Sequence, residues 1–166
     1  MTGIRAAILT ISTSASRRTA EDVSGPRLAA LAEQAGCAVD AMEVVPDDLP
    51  LIEDRLHHFV DEGVDFIFTT GGTGLTPDDV TPEATRMVIE RDAPGFAEAM
   101  RMEAARRTPH GILTRGVSGI AGHTLIVNFP GNPRAVEELF PVIAPTLAHV
   151  AQTLRGQSEH GARGGR

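Results

Sequence analysis

Phe66-Ile67-Phe68-Thr69-Thr70-Gly71-Gly72-Thr73-Gly74 is the stretch that decides the fold class. Its first five residues are all aromatic or β-branched. They carry no charge, as a strand covered on both faces requires. Three glycines in the next four positions then end the strand in a loop. Other strand candidates lie on either side: Ala6 to Ile11, Val39 to Val45, and Leu125 to Phe129, with Val117 to Ile120 as a weaker candidate.

Helical spacing fills the gaps between these strands. Ser24-Gly25-Pro26 opens a helix carrying Leu28, Leu31, Ala32 and Ala35, and Gly36 stops it. Ile52, Leu56, Phe59 and Val60 mark the next. Thr81-Pro82-Glu83 reads as an N-cap, a first-turn proline and a dipole-favourable acid, opening a helix to about Arg91. Phe96, Met100 and Ala104 imply another. Asn132-Pro133 starts the last, which Pro141 and Pro145 are expected to kink or split. This alternation predicts an α/β fold, a three-layer α/β/α arrangement around a mostly parallel central sheet. Ligands in such folds bind beyond the carboxyl ends of the strands.

Composition narrows the chemistry. The 166 residues carry 22 acids and 15 bases, a net charge of −7, and every base is arginine. Without lysine there is no Schiff-base enzyme and no P-loop lysine. Without tyrosine there is no tyrosyl nucleophile. Six Phe and an acidic balance argue against nucleic acid as a partner. No apolar run reaches the roughly 18 residues that span a bilayer, and no cleavable signal is read at the start. One cysteine, Cys37, cannot form an internal disulfide, so the expected setting is the cytoplasm. Residues 156–166, rich in Gly and Arg, lack apolar residues to pack and are expected to form a disordered tail.

Three features could carry chemistry. The Gly71–Gly74 loop could cradle an anion on its amides, helped by threonine hydroxyls. A Walker loop is excluded by the missing lysine, and Pro77 stands where a dinucleotide fingerprint needs glycine. A tight turn without a ligand would use the same glycines. Asp47-Asp48 follow the second strand and Asp78-Asp79 follow the glycine loop. Carboxylates beside phosphates suit Mg²⁺, although one member of each pair is expected merely to cap a helix. Pro130-Gly131-Asn132-Pro133 joins a strand to a helix N-terminus, which suits a phosphate as well as a plain turn. The histidines have no metal-ligand spacing. Arg17, Arg18, Arg101 and Arg115 are the nearby cations to weigh for phosphate contact.

In order, Thr69 to Gly74, then Asp79-Val80-Thr81-Pro82-Glu83-Ala84-Thr85, then Pro94-Gly95-Phe96 with Glu98 and Met100-Arg101, then Pro130 to Pro133, make this sequence similar to the MogA/MoaB molybdopterin-binding family over about residues 4 to 154. The resemblance implies a molybdopterin-binding domain over residues 3–155, usually as a homotrimer. It also implies a transferase of molybdenum cofactor biosynthesis, which moves AMP from Mg-ATP to the terminal phosphate of molybdopterin and releases pyrophosphate. A molybdate-insertion enzyme is a possible partner for such a product. By the same resemblance Asp47 and Asp79 are the essential acids and would hold Mg²⁺. Gly71, Gly72, Thr73, Gly74, Ser12 and Thr13 would face the nucleotide phosphates. Thr114, Arg115, Pro130, Gly131, Asn132, Pro133, Glu98 and Arg101 would face molybdopterin. Many members have Ser-Asp where this chain has Ser12-Thr13. That missing acid keeps open a second reading, a trimer that carries molybdopterin without adenylylating it.

Overall fold

The computed structural model describes residues 3–156; most of the tail expected over 156–166 lies outside the described residues. Six strands form one sheet: β1 (Ile4–Ile11), β2 (Cys37–Val45), β3 (Phe66–Thr70), β4 (Arg91–Asp92), β5 (Ser118–Ala121) and β6 (Thr124–Phe129). Their order across the sheet is β2-β1-β3-β6-β5-β4. The first four of these run parallel, while β5 is antiparallel to β6 and β4 to β5.

Alternation along the strands divides the core in two. Ala6 and Ile8 of β1, Phe66 and Phe68 of β3, and Leu125, Val127 and Phe129 of β6 point to one face. There they meet helices α2 (Ser24–Gln34), α5 (Gly95–Arg107), α6 (Pro133–Ile143) and α7 (Leu147–Leu154). Ala7, Leu9, Ile11, Ile67 and Ile126 point to the other, under α3 (Leu49–Asp61) and α4 (Thr81–Val88). Phe68 sits at the centre of the first face, stacked on Phe66 at 5.4 Å and edge-on to Phe140 at 5.4 Å. Such pairs add about 0.5–1.5 kcal/mol each beyond their burial. The expected three layers are therefore present.

Register brings the functional loops together. Ile11 pairs with Val45, Thr10 with Thr70, and Thr70 with Phe129. The segments starting at Ser12, Pro46, Gly71 and Pro130 consequently leave the sheet side by side at its carboxyl edge.

Several sequence expectations need correction. Thr81 begins α4 but does not cap it; its hydroxyl donates to the Gly71 carbonyl at 2.9 Å, tying helix to glycine loop. That helix ends at Val88, and Arg91–Asp92 is a short edge strand, because Glu90 N–H and Ala93 N–H pair with β5 carbonyls. The weak strand begins at Ser118, not Val117, since the Val117 amide donates to Asn128 Oδ1. Pro141 lies within α6 without splitting it, and only Pro145 marks a break, in a 3-10 turn (Ala144–Thr146) before α7.

One buried charge closes the domain. Asp65, 4% exposed, accepts from Arg155 Nε at 2.9 Å and Nη2 at 2.6 Å, and from the Arg5 amide at 2.8 Å. Removing the carboxylate takes the acceptor from the Arg5 amide and two hydrogen bonds from Arg155, which keeps its bond to the Gly3 carbonyl. Asp65→Ala is expected to lower unfolding free energy by about 3 kcal/mol, read as a shifted midpoint in urea. Nearby, burial and secondarily Asp65 push the Cys37 thiol up to about 11. Thiolate is then scarce at neutral pH. A thiol reagent at pH 7 is expected to label the native chain far more slowly than the chain in denaturant.

Candidate functional site

Two cavities open at the carboxyl edge of the sheet. The first, about 530 Å³, is walled by the end of β1 and the short helix α1 (Thr13–Ser16), by Glu21 to Ser24, and by Asp47 and Gly71-Gly72. The second, about 450 Å³, lies between the glycine loop, the 3-10 turn Pro109–Leu113 and the start of α6. Gly72, Asp79 and Gly131 line both. The cavities therefore adjoin along the glycine loop.

The loop is shaped for close approach. Gly71 and Gly72 have φ of +99° and +67°, a region that L side chains rarely tolerate. Gly71 donates its amide to the Phe129 carbonyl at 3.1 Å, which removes it from the set expected to meet phosphate. The amides of Gly72, Thr73 and Gly74 find no acceptor among the described residues. Three successive free donors at a concave turn can hold an anion. A side chain on Gly72 would come within 3.3 Å of Asp47 Oδ1, and one on Gly74 within 2.7 Å of Asp79 Oδ2. The two aspartates thus flank the loop, one near each end.

Each aspartate is held by one oxygen. Thr13 donates to Asp47 Oδ2 from its amide at 3.2 Å and its hydroxyl at 2.8 Å, and the Asp47 amide donates back to that hydroxyl at 3.0 Å. Thr76 donates to Asp79 Oδ2 from its amide at 3.0 Å and its hydroxyl at 2.9 Å. Both Oδ1 atoms lack a hydrogen bond among the described residues. Neighbouring Asp48 caps α3 through Leu51 N–H at 3.0 Å, as expected for one member of that pair. No group of three or more metal-ligating side chains occurs among the described residues. Two carboxylates with one free oxygen each still fit Mg²⁺, which commonly takes one or two protein carboxylates and completes its shell with phosphate and water.

The other expected site residues divide. Ser12 and Thr13 line the first cavity, Thr73, Gly74, Thr114, Pro130 and Asn132 the second, Gly131 both, and Pro133 the first. Arg115 does not face either cavity. Its Nε donates to Gly74 O at 2.8 Å, its Nη2 to Asp79 O at 2.7 Å, and its Nη1 to the Glu83 carboxylate. It straps the loop from behind, and its hydrogen bond holds the Glu83 carboxyl below the usual range. Arg101 likewise donates to Thr114 O at 2.7 Å and to Gly116 O, bracing the segment before β5. Glu98 is exposed on α5 and lines neither cavity, and Arg17 and Arg18 are exposed. The first cavity accordingly has Glu21, Asp22, Asp47 and Asp79 in its wall and, among the described residues, no arginine.

The sequence reading passed over Asp22 and gave Asn128, two residues before the Pro130–Pro133 turn, no role of its own. Asp22 accepts from the Thr10 hydroxyl at 2.9 Å and the Gly25 amide at 2.9 Å, fixing the start of α2 against β1. Buried Asn128 donates to the hydroxyls of Thr69 and Thr85 at 3.0 Å each, joining β6, β3 and α4 under the loop. A lone Asn inside an apolar run was the available signal for the second.

Residues 7–149 match the family described as "Probable molybdopterin binding domain". The chain belongs to this molybdopterin-binding family. It is 36% identical to the molybdopterin adenylyltransferase of Helicobacter pylori (strain J99) over 159 residues, 94% of this chain and 90% of that protein. It is 38% identical over 156 residues to the molybdenum cofactor synthesis protein cinnamon of Drosophila melanogaster, which covers 93% of this chain but only 26% of the fly protein. The chain thus spans about a quarter of that longer relative. Among solved structures, the molybdopterin biosynthesis enzyme MoaB of Thermus thermophilus superposes with a TM-score of 0.87 at 41% identity, covering 92% of this chain and 97% of that one. The molybdopterin-binding fold accounts for the three layers and for the loop cluster at one sheet edge. Among the described residues, no helix is long and apolar enough to cross a membrane.

Proposed function

We propose that this chain is a molybdopterin adenylyltransferase of molybdenum cofactor biosynthesis. The observation that carries the reading is the pair of cavities meeting along Gly72, Asp79 and Gly131, with a free carboxylate oxygen near each end of the loop. A transfer between two bound substrates needs such a shared wall. The terminal phosphate oxygen of molybdopterin attacks the α-phosphorus of ATP, the bond to the bridging oxygen breaks, and pyrophosphate leaves. Proximity and charge neutralisation supply the acceleration, and no covalent protein intermediate is required.

In this reading the first cavity takes the nucleotide and the second takes molybdopterin. The Gly72, Thr73 and Gly74 amides hold phosphate at the junction. Thr13 and Thr76 orient Asp47 and Asp79, whose Oδ1 atoms would hold Mg²⁺. That ion, when bound, neutralises phosphate charge as a Lewis acid. Its need follows from the wall itself, since four carboxylates, with no arginine beside them among the described residues, would repel a bare triphosphate. Arg115, Arg101 and Glu98 leave the contact set and keep positioning or surface roles. Residues 3–155 form the working domain and 156–166 the tail; the family resemblance supports a homotrimer, and a lone buried cysteine supports the cytoplasm as its setting.

A molybdopterin carrier without transferase activity is the second reading, favoured by Thr13 in place of an acid. Incubation with molybdopterin and Mg-ATP decides between them. Pyrophosphate in step with adenylyl-molybdopterin is the expected result, and molybdopterin binding without pyrophosphate would leave the carrier.

A further inference from the structure

We propose that Glu138 selects the heterocycle in the second cavity by reading the 2-amino-4-oxopyrimidine edge of a pterin. The proposal rests on the assignment of that cavity to molybdopterin. Ala104, Leu113, Ala135 and Leu139 give the cavity aliphatic walls, suited to a flat ring. Besides the junction residue Asp79, Glu138 is the cavity's one lining carboxylate among the described residues. Its side chain is 25% exposed. Arg134 Nε holds its Oε1 at 2.9 Å and Arg107 Nη1 lies 3.7 Å from the same oxygen. The carboxylate is thereby fixed, while Oε2 has no hydrogen bond among the described residues. At the rim, Asn132 Oδ1 accepts the Arg134 amide at 2.9 Å, which leaves its Nδ2 free to donate.

The edge that matches this pair is specific. A pterin presents adjacent N–H donors, at N3 and the 2-amino group, beside a 4-oxo acceptor. An ionised carboxylate accepts from both donors, and the amide can donate to the oxo group. Adenine presents a bare ring nitrogen beside its amino group, so its lone pair would face the carboxylate. Glu138 therefore keeps the nucleotide base out of the pterin side, and the two substrates meet in one orientation.

Fluorescence titration of the full chain with 6-hydroxymethylpterin and with 6-hydroxymethyllumazine tests this. The lumazine carries an oxo group where the pterin carries the 2-amino group. Wild type is expected to prefer the pterin by about tenfold or more, the scale of a charged hydrogen bond. Glu138→Gln should erase that preference while Mg-ATP affinity stays unchanged. Glu137→Gln, at an exposed neighbour that pairs with Arg27 and lines neither cavity, should preserve it. Equal affinities in wild type, binding of neither probe, or a preference that survives Glu138→Gln would overturn the proposal. Absent pyrophosphate release alongside an intact, Glu138-dependent preference would instead sink the transferase reading and leave this one standing.

Discussion

Asp79→Asn is expected to lower AMP transfer by roughly 10²–10³-fold, the range seen when one electrostatic stabiliser of a transition state is removed. The substitution is chosen for what it preserves. An asparagine oxygen can still accept from the Thr76 amide and hydroxyl, now at 3.0 and 2.9 Å, so the turn before α4 keeps its shape. Arg115 binds the residue-79 carbonyl, not the carboxylate, so the strap behind the loop is also kept. What disappears is the carboxylate charge of a residue that lines both cavities. Pterin affinity should stay close to wild type, while Mn²⁺ binding in the presence of nucleotide should weaken. Transfer at the wild-type rate would sink the assignment of Asp79 to the metal. Wild-type metal binding with a lost rate would move Asp79 to direct contact with the reacting phosphates.

The sheet and its loop edge were legible because the evidence for them is local. Continuous apolar runs such as Phe66 to Phe68 are buried on both faces, and the residue that follows each strand is fixed by the chain itself. Asp47 and Asp79 reach the same site because β2 and β3 both flank β1; alternation of strands and helices predicts parallel strands, while their order across the sheet is seen only in the fold. Side-chain direction was not legible in the same way. Arg115 looks like a phosphate ligand in a lysine-free chain, yet three of its nitrogens meet partners 32 to 41 residues away. Thr81 has the composition of an N-cap, but a tertiary partner, the Gly71 carbonyl, takes its hydroxyl instead. Thr13 looks like a missing charge; in the fold it is the group that holds Asp47. An acid there would face the Asp47 carboxylate directly, so the threonine exchanges a like-charge contact for a hydrogen bond. These outcomes depend on contacts distant in sequence, which neither spacing nor propensity encodes.

Gly71→Ala is the second large effect, and it acts on stability as well as rate. At φ +99° an added Cβ would lie 2.2 Å from the Ile11 carbonyl oxygen. That oxygen is backbone at the end of a central strand, so no rotamer change relieves the contact. Movement of residue 71 is opposed from both sides: its amide is bound to Phe129 O at 3.1 Å and its carbonyl to Thr81 Oγ1 at 2.9 Å. Backbone strain and overpacking together should remove about 2–4 kcal/mol, which for a domain this size lowers the melting temperature by roughly 5–15 °C. Gly36→Ala supplies the comparison, because Gly36 has a similar φ of +95° and nothing within 4 Å of the added carbon. It should cost only about 1 kcal/mol, the conformational part alone. The difference between the two variants measures how firmly the loop is pinned between β1 and β6. If they are equally stable, the loop can shift freely, and its free amides would not be preorganised for phosphate. If Gly71→Ala is the worse by the expected margin, any of it that remains folded should also transfer AMP poorly, since relief of the clash displaces the Gly72, Thr73 and Gly74 amides together.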